Sequence, residues 1–255
     1  MNLGIIGCGA IGTDVAIAAD KMKEINKIYL YDTDKKKQEN LSDIIEKSEI
    51  KYIFDFLEDV DIVFEAASQK AVEQYSEKIL DAGKDLIIMS IGCFYDEEFK
   101  DRLEKIAEKN HCKIFIPSGA VCGIDGVLSA SIDTIDEVTL VTTKPPSSLD
   151  KKYNKRTVVF SGNAAEAVKK FPENINVAAS LSIAGVGFNK TKVEIVADPV
   201  ATRNSHKILA HGKFGRLRAE VENMPNPNNP KSSYMASLSA VATLKKIVNP
   251  IQIGS

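Results

Sequence analysis

The sequence has no excess of basic charge: 33 Lys plus Arg face 35 Asp plus Glu, which leaves its 255 residues at a formal charge of −2. Without such an excess there is little electrostatic drive to release counterions from a polyphosphate, which argues against nucleic acid as a partner. No apolar run reaches the ~18 residues that a membrane span needs. The start, Met1-Asn2-Leu3-Gly4-Ile5-Ile6-Gly7, lacks a positively charged leader region. Neither a bilayer span nor a signal peptide is expected. The four cysteines, Cys8, Cys93, Cys112 and Cys122, show no C-x-x-C spacing, and only Cys112 adjoins a histidine, His111. That pattern predicts no metal site and the reduced thiols of a cytoplasmic protein. What is present, 44% apolar and 27% charged residues, excludes disorder, collagen and coiled coil. It gives a globular chain with a sizeable core in one large or two smaller domains.

The first half alternates β-branched runs with helical patterns, the grammar of βαβ units and a parallel sheet. Strands are expected at Leu3–Ile6, Ile28–Tyr31, Ile62–Phe64, Leu86–Met89 and Lys113–Ile116, with a short edge strand near Lys51–Ile53. Ile11, Val15, Ala18 and Met22, and Val72, Tyr75, Ile79 and Leu80, recur at helical spacing. Ser68 and Asp96 suit helix N-caps. After Pro117 the grammar changes. A long strand, Glu137–Lys144, runs into Pro145-Pro146 and a polar loop, Ser147–Arg156. Helices around Ala164–Lys170 and Val177–Ala184 and strands at Lys192–Ala197, Ser205–Ala210 and Arg216–Glu222 then describe an α+β domain. The Asn- and Pro-rich stretch 223–230 reads as a rigid linker, followed by an apolar helix from Ser232 to about Ile247 that returns to the first domain. No internal repeat is present.

Gly7-Cys8-Gly9-Ala10-Ile11-Gly12 matches G-x-G-x-x-G between a strand and a helix. In that context Gly7 allows the tight turn, Gly9 lets the backbone approach a pyrophosphate, and Gly12 lets the helix pack closely. The helix N-terminus, opened by Ala10 and Ile11, attracts the anion. Asp32 lies 20 residues beyond Gly12 at the end of the second strand, the position of the acid that bonds the ribose 2′-hydroxyl. A carboxylate there repels a 2′-phosphate, so NAD is the expected cofactor. NADP stays open because Lys35, Lys36 and Lys37 follow, although such a run also suits a solvated helix start. Ligands lie at the carboxyl ends of parallel strands, so the loops Glu65-Ala66-Ala67-Ser68 and Ser90-Ile91-Gly92-Cys93 should meet the other edge of the cofactor.

Together with these segments, Pro117-Ser118-Gly119-Ala120, Thr143-Lys144-Pro145-Pro146, Asn176-Val177-Ala178-Ala179, Ala197-Asp198-Pro199, Asn204-Ser205-His206 and Asn229-Pro230-Lys231 give a chain that resembles the L-aspartate dehydrogenase family over nearly its whole length. The resemblance implies an α/β protein in three segments. Residues 1–117 form a Rossmann-type, doubly wound parallel sheet domain for NAD. Residues 118–228 form an α+β domain for catalysis and dimerisation, and residues 229–255 a C-terminal helix returning to the first domain. It also implies a homodimer through the open sheet and oxidative deamination of L-aspartate to iminoaspartate. That product is either hydrolysed to oxaloacetate and ammonia or used in pyridine nucleotide biosynthesis. By the same resemblance, cofactor contacts fall at Ala120 and Asn176, beyond those that the strand ends place at Ala67 and Ser68, and the catalytic group is His206. Cys93 and Cys122 stand where small residues are usual.

The chemistry needs a group that titrates near neutrality to activate water, and the sequence has three histidines. His111 sits at a helix end and His211 before a turn glycine, whereas His206 follows the polar Arg203-Asn204-Ser205 in cleft-like surroundings. Cations should receive the two substrate carboxylates. Lys144, Arg203 and Lys231 are the candidate cations by their places in the matching motifs, and the sequence does not choose among them; Lys144 and Asn204 are taken as the candidate substrate contacts. Two other readings stay open: an oxidoreductase for another amino-acid-derived substrate, and a non-catalytic NAD sensor, which has no need of His206.

Overall fold

The computed structural model describes residues 1–145, 153–171 and 176–254. They divide into two compact units. The first comprises Met1–Pro117 with Ser237–Ile251, the second Ser118–Ala236 with Gln252–Ser255.

In the first unit, β1 (Asn2–Ile6), α1 (Ala10–Asp20), β2 (Lys27–Tyr31), α2 (Lys35–Ser42), β3 (Ser48–Ile50), α3 (Ile53–Phe56), β4 (Ile62–Glu65), α4 (Gln69–Asp81), β5 (Asp85–Ile88), α5 (Glu97–Lys109) and β6 (Ile114–Phe115) follow in order. The strands form one sheet, β3-β2-β1-β4-β5-β6, parallel throughout. This is the doubly wound order whose reversal point lies at β1/β4. Helices cover both faces, so the central strands are apolar without alternation: Leu3, Ile5, Ile28, Leu30, Val63 and Phe64 are all buried. α4 buries Val72, Tyr75, Ile79 and Leu80, and Ser68 caps it by accepting from the Ala71 amide at 3.2 Å. Asp96 caps α5 through the Phe99 amide at 3.1 Å.

The edge strand is β3, not Lys51–Ile53. Tyr52 and Ile53 carry strand propensity, but burial overrides it. Ile53 and Phe56 are fully buried in α3, and the Phe56 ring fills the space above Gly4 on β1 that a side chain would need. The pairing falls instead on the polar Ser48 and Glu49, which join Ile28 and Tyr29.

The second unit holds α6 (Ile124–Ala130), β7 (Ile135–Lys144), β8 (Thr157–Asn163), α7 (Ala164–Lys170), α8 (Asn176–Ala184), β9 (Lys192–Ala197), β10 (Asn204–Gly212), β11 (Gly215–Asn223), β12 (Pro225–Asn226) and β13 (Asn229–Ser233). α9 (Tyr234–Val248) follows and runs on into the first unit. Its five-stranded sheet has the order β11-β10-β7-β9-β8. Only β7 and β9 pair in parallel. One face is apolar, with Val138, Leu140, Val193, Ile195, Ile208 and Ala210 all buried. The other carries charged pairs such as Lys207–Glu220 and Lys192–Glu137.

Besides α6, two features here escaped the sequence. β8 is an edge strand whose register slips between Val158 and Phe160, which erases the alternation that would reveal it. The supposed linker at 223–230 is a paired ribbon, β12 with β13. Asn226 is buried and its Oδ1 accepts from the Asn228 amide at 2.7 Å, so the Asn and Pro content marks a turn, not a spacer. Of the polar loop expected at Ser147–Arg156, residues 147–152 lie outside the described residues.

Candidate active site

The nucleotide loops are built at the carboxyl ends of β1, β2, β4 and β5. The Gly7 amide donates to the Tyr31 carbonyl at 2.8 Å. Its φ of +98° and the Ala66 carbonyl within 2.7 Å of any added Cβ leave room only for glycine. At Gly12 a Cβ would collide with the Gly7 carbonyl oxygen. At Gly9, by contrast, an added Cβ meets nothing within 4 Å. The fold itself does not require glycine there, and the space is what a close-lying ligand backbone needs. Gly9 is the N-cap of α1, with no side-chain cap and no acid in the first turn, which Ala10 and Ile11 open. The positive end of the helix is therefore left for an external anion.

Asp32 ties the glycine loop to the next one. Its Oδ2 accepts from the Cys8 amide and its Oδ1 from the Asp34 amide, both at 2.8 Å. A cavity of about 270 Å³ opens beside it, lined by Gly7, Asp32, Thr33, Ala67, Ser68 and Lys70 among others. The structure thus brings Gly7, Asp32, Ala67 and Ser68 to one pocket. Lys35–Lys37 are exposed, and their helix is capped by Asp34.

Sequence reasoning missed the role of Glu65. This carboxylate is buried at the end of β4. Its Oε1 accepts from the amides of Ala67 at 2.7 Å and Ser68 at 2.9 Å and from the Ser90 hydroxyl at 2.9 Å, and its Oε2 from the Ser90 amide at 3.0 Å. Burial pushes its pKa up while these four bonds hold it down. The available signal was an acid closing the apolar run Ile62-Val63-Phe64. All four cysteines are free thiols. Burial, helped by Asp32 at Cys8 and by Glu65 at Cys93, pushes both of these thiols up to about 12, far from nucleophilic use. Cys122 is exposed.

In the second unit, register creates a polar patch on the apolar face of the sheet. His206 on β10 lies directly opposite Thr142 on β7, and the His206 Nδ1 and Thr142 Oγ1 atoms are 3.0 Å apart. Lys144 and Asn204, each two residues away along these strands, share that face. Thr142 and Lys144 are buried, each with 7% of its surface exposed. Burial lowers the Lys144 pKa. Burial, and secondarily the Lys144 charge, lowers that of His206 from 6.5 to about 4. Asn204 Oδ1 is buried and has no hydrogen-bond partner among the described residues, so it is an acceptor awaiting a donor.

Arg203 is exposed, and the Lys231 side chain lies outside the described residues. Asn176 opens α8 at the surface. The Ala120 carbonyl accepts from Asn223 Nδ2 at 2.9 Å, next to Gly119, whose φ is +68°. His111 is exposed at the end of α5, and the exposed His211 stands 3.7 Å from Asp136.

A doubly wound domain with an open glycine loop and an acid after β2, joined to a mixed-sheet domain with a half-buried histidine, defines a pyridine-nucleotide oxidoreductase. Residues 7–117 match the NAD-binding domain model of homoserine dehydrogenase, and residues 125–247 match the aspartate dehydrogenase C-terminal model. The L-aspartate dehydrogenase of Methanosarcina barkeri is 46% identical, with all of both chains covered, and that of Methanothermobacter thermautotrophicus is 41% identical, with 100% and 99% covered. The crystal structure of aspartate dehydrogenase from Thermotoga maritima superposes with a TM-score of 0.84 at 35% identity, covering 100% of this chain and 99% of that one. The structure of scyllo-inositol dehydrogenase from Lactobacillus casei, at 15% identity and a TM-score of 0.57, shares the fold. The chain belongs to the aspartate dehydrogenase family.

Proposed function

We propose that the protein is an NAD-dependent L-aspartate dehydrogenase that converts the substrate to iminoaspartate, and by hydrolysis to oxaloacetate and ammonia. The observation that carries this reading is the polar patch of Thr142, Lys144, Asn204 and His206, with Asn223 opposite Asn204, at one end of a sheet face that is apolar at Val138, Leu140, Ile208 and Ala210. When bound, the nicotinamide accepts the hydride that leaves the substrate Cα. Lys144, a buried cation, takes a substrate carboxylate. Asn204 Oδ1 accepts from the substrate amine and so gains the donor it lacks. His206 takes a proton from the water that attacks the iminium and returns one when the carbinolamine collapses. The free ring is a weak base because it is buried beside Lys144. A carboxylate seated on that lysine offsets its charge and raises the histidine toward the working range.

Gly7 to Gly12, Asp32, Ala67 and Ser68 hold the adenosine and pyrophosphate, with Ala120 and Asn176 as the cofactor contacts of the second unit. Asp32 in the wall of the pocket favours NAD over NADP. The exposed, Asp34-capped start of α2 fits a solvated role for Lys35–Lys37. The uncovered face of the second sheet serves a homodimer, and the free thiols suit a cytoplasmic enzyme whose product feeds pyridine nucleotide synthesis. A sensor would leave the polar patch without a task.

The test is growth of NADH absorbance with L-aspartate at alkaline pH against a panel of other amino acids. His206→Ala should lower kcat by about 10²–10⁴-fold with NAD affinity retained. Equal turnover of unrelated amino acids, or an unimpaired His206→Ala enzyme, refutes the assignment.

A further inference from the structure

Thr142 occupies a place where packing alone asks for valine. Its neighbours on the same face of β7, Val138 and Leu140, are buried and apolar, and valine has the same shape without the hydroxyl. A hydroxyl in that setting costs free energy unless it is bonded, and its partner is the ring of His206, 3.0 Å away at Nδ1. The contact is fixed by register, since the two residues face each other across the β7–β10 ladder. Each of them sits between same-strand neighbours that are themselves held in the sheet.

We propose that Thr142 is the positioning residue of the reaction, its Oγ1 accepting from Nδ1–H of His206 so that Nε2 carries the lone pair that receives the proton from water. The proposal rests on His206 acting as the base. The proton balance is simple. Nε2 gains a hydrogen of the attacking water, whose oxygen bonds to the iminium carbon as the C=N π pair moves onto nitrogen and neutralises its charge. The resulting imidazolium keeps Nδ1–H on the threonine throughout, so the hydrogen bond need not reorganise during the step. Without the hydroxyl, Nδ1–H would be left buried and unpaired, which favours moving the ring hydrogen to Nε2 and blocks the base. Among the described residues of these strands, the charged or titratable group that shares this sheet face with the ring is Lys144 on β7. The packed helix α8 carries no titratable residue, and α6, which packs over Leu217 and Ala219 of β11, carries only the exposed Asp125.

The experiment uses the full-length enzyme with ¹⁵N-labelled histidine. The ring ¹⁵N shifts of His206, assigned by their loss in His206→Gln, should show Nδ1 protonated and Nε2 bare at neutral pH. Thr142→Val should shift the ring toward the opposite tautomer and lower kcat by about 10–100-fold, with the KM for aspartate and the affinity for NAD within about two-fold of wild type. Thr142→Ser, which restores the hydroxyl, should recover both the tautomer and most of kcat. In a His206→Gln background, Thr142→Val should cost nothing further. A wild-type ring with Nδ1 bare, a folded Thr142→Val enzyme with full kcat, or a loss that serine does not repair overturns the positioning role alone. Wild-type kcat in His206→Gln overturns the role of the ring itself, and the positioning role with it.

Discussion

Acidification should destabilise this protein through one imidazole. In the unfolded chain His206 titrates near 6.5, and in the folded protein at about 4, because the ring is buried and faces Lys144. Between these values the unfolded state binds more protons than the folded one, so stability rises with pH across the window and falls as pH drops through it. Above about pH 6.5 the ring is neutral in both states and has no effect. The penalty grows down to about pH 4 and levels off below it. At about 1.4 kcal/mol per pH unit the interval amounts to at most about 3.5 kcal/mol, and the part of the ring open to solvent trims it toward about 2–3 kcal/mol. For a chain of this size that corresponds to a fall in Tm of about 4–10 °C. Other groups also answer to acid, notably Glu137 and Glu220, which Lys192 and Lys207 hold below the ordinary carboxylate value. Their effect cancels when wild type and His206→Gln are compared. Denaturant unfolding of the two proteins at pH 7.5 and pH 4.5 should show the wild type losing about 2–3 kcal/mol more than the variant, and Lys144→Met should narrow the gap. Parallel losses in wild type and His206→Gln would refute the picture of a ring held neutral by burial.

The glycine loop supplies a contrast between folding and binding. Gly9→Ala should cost less than about 1 kcal/mol of stability yet weaken NAD by tenfold or more, because its Cβ enters space that the protein leaves open. Gly12→Ala should cost about 1–3 kcal/mol or more, since its Cβ meets the Gly7 carbonyl. Calorimetry and NAD titration of the two variants check both, and equal behaviour in the two assays contradicts the reading. Asp32→Ser should lower the ratio of kcat/KM for NAD to that for NADP by at least tenfold, since a ribose contact goes and a repulsion is relieved. An unchanged ratio removes Asp32 from the ribose.

The elements that show in the sequence are those whose burial is uniform along the element. β1, β2 and β4 are covered on both faces, so their apolar runs stand out, and Ser68 and Asp96 announce helices because a cap is a local device. β3, β8 and α6 depend on what lies around them: a strand edge carrying polar residues, a register slip, a helix of seven residues begun by a left-handed Gly123. The glycine loop and Asp32 could be read as a spaced pattern because their chemistry is carried by neighbours in sequence. Thr142 and Glu65 could not. The first matters through a strand 64 residues away, and the second through a loop 25 residues away, and no spacing along the chain reveals either.

Glu65 has a consequence for how variants of the nucleotide domain combine. One buried carboxyl group is the shared acceptor for the loop after β4 and the loop after β5. A change at Ser90 therefore alters how firmly Ala67 and Ser68 are held, although the two stretches lie far apart in the chain. Substitutions in them are expected to be non-additive. The two loops form one inherited unit: a homologue's version of one is best transplanted together with its partner, with the acid between them left in place.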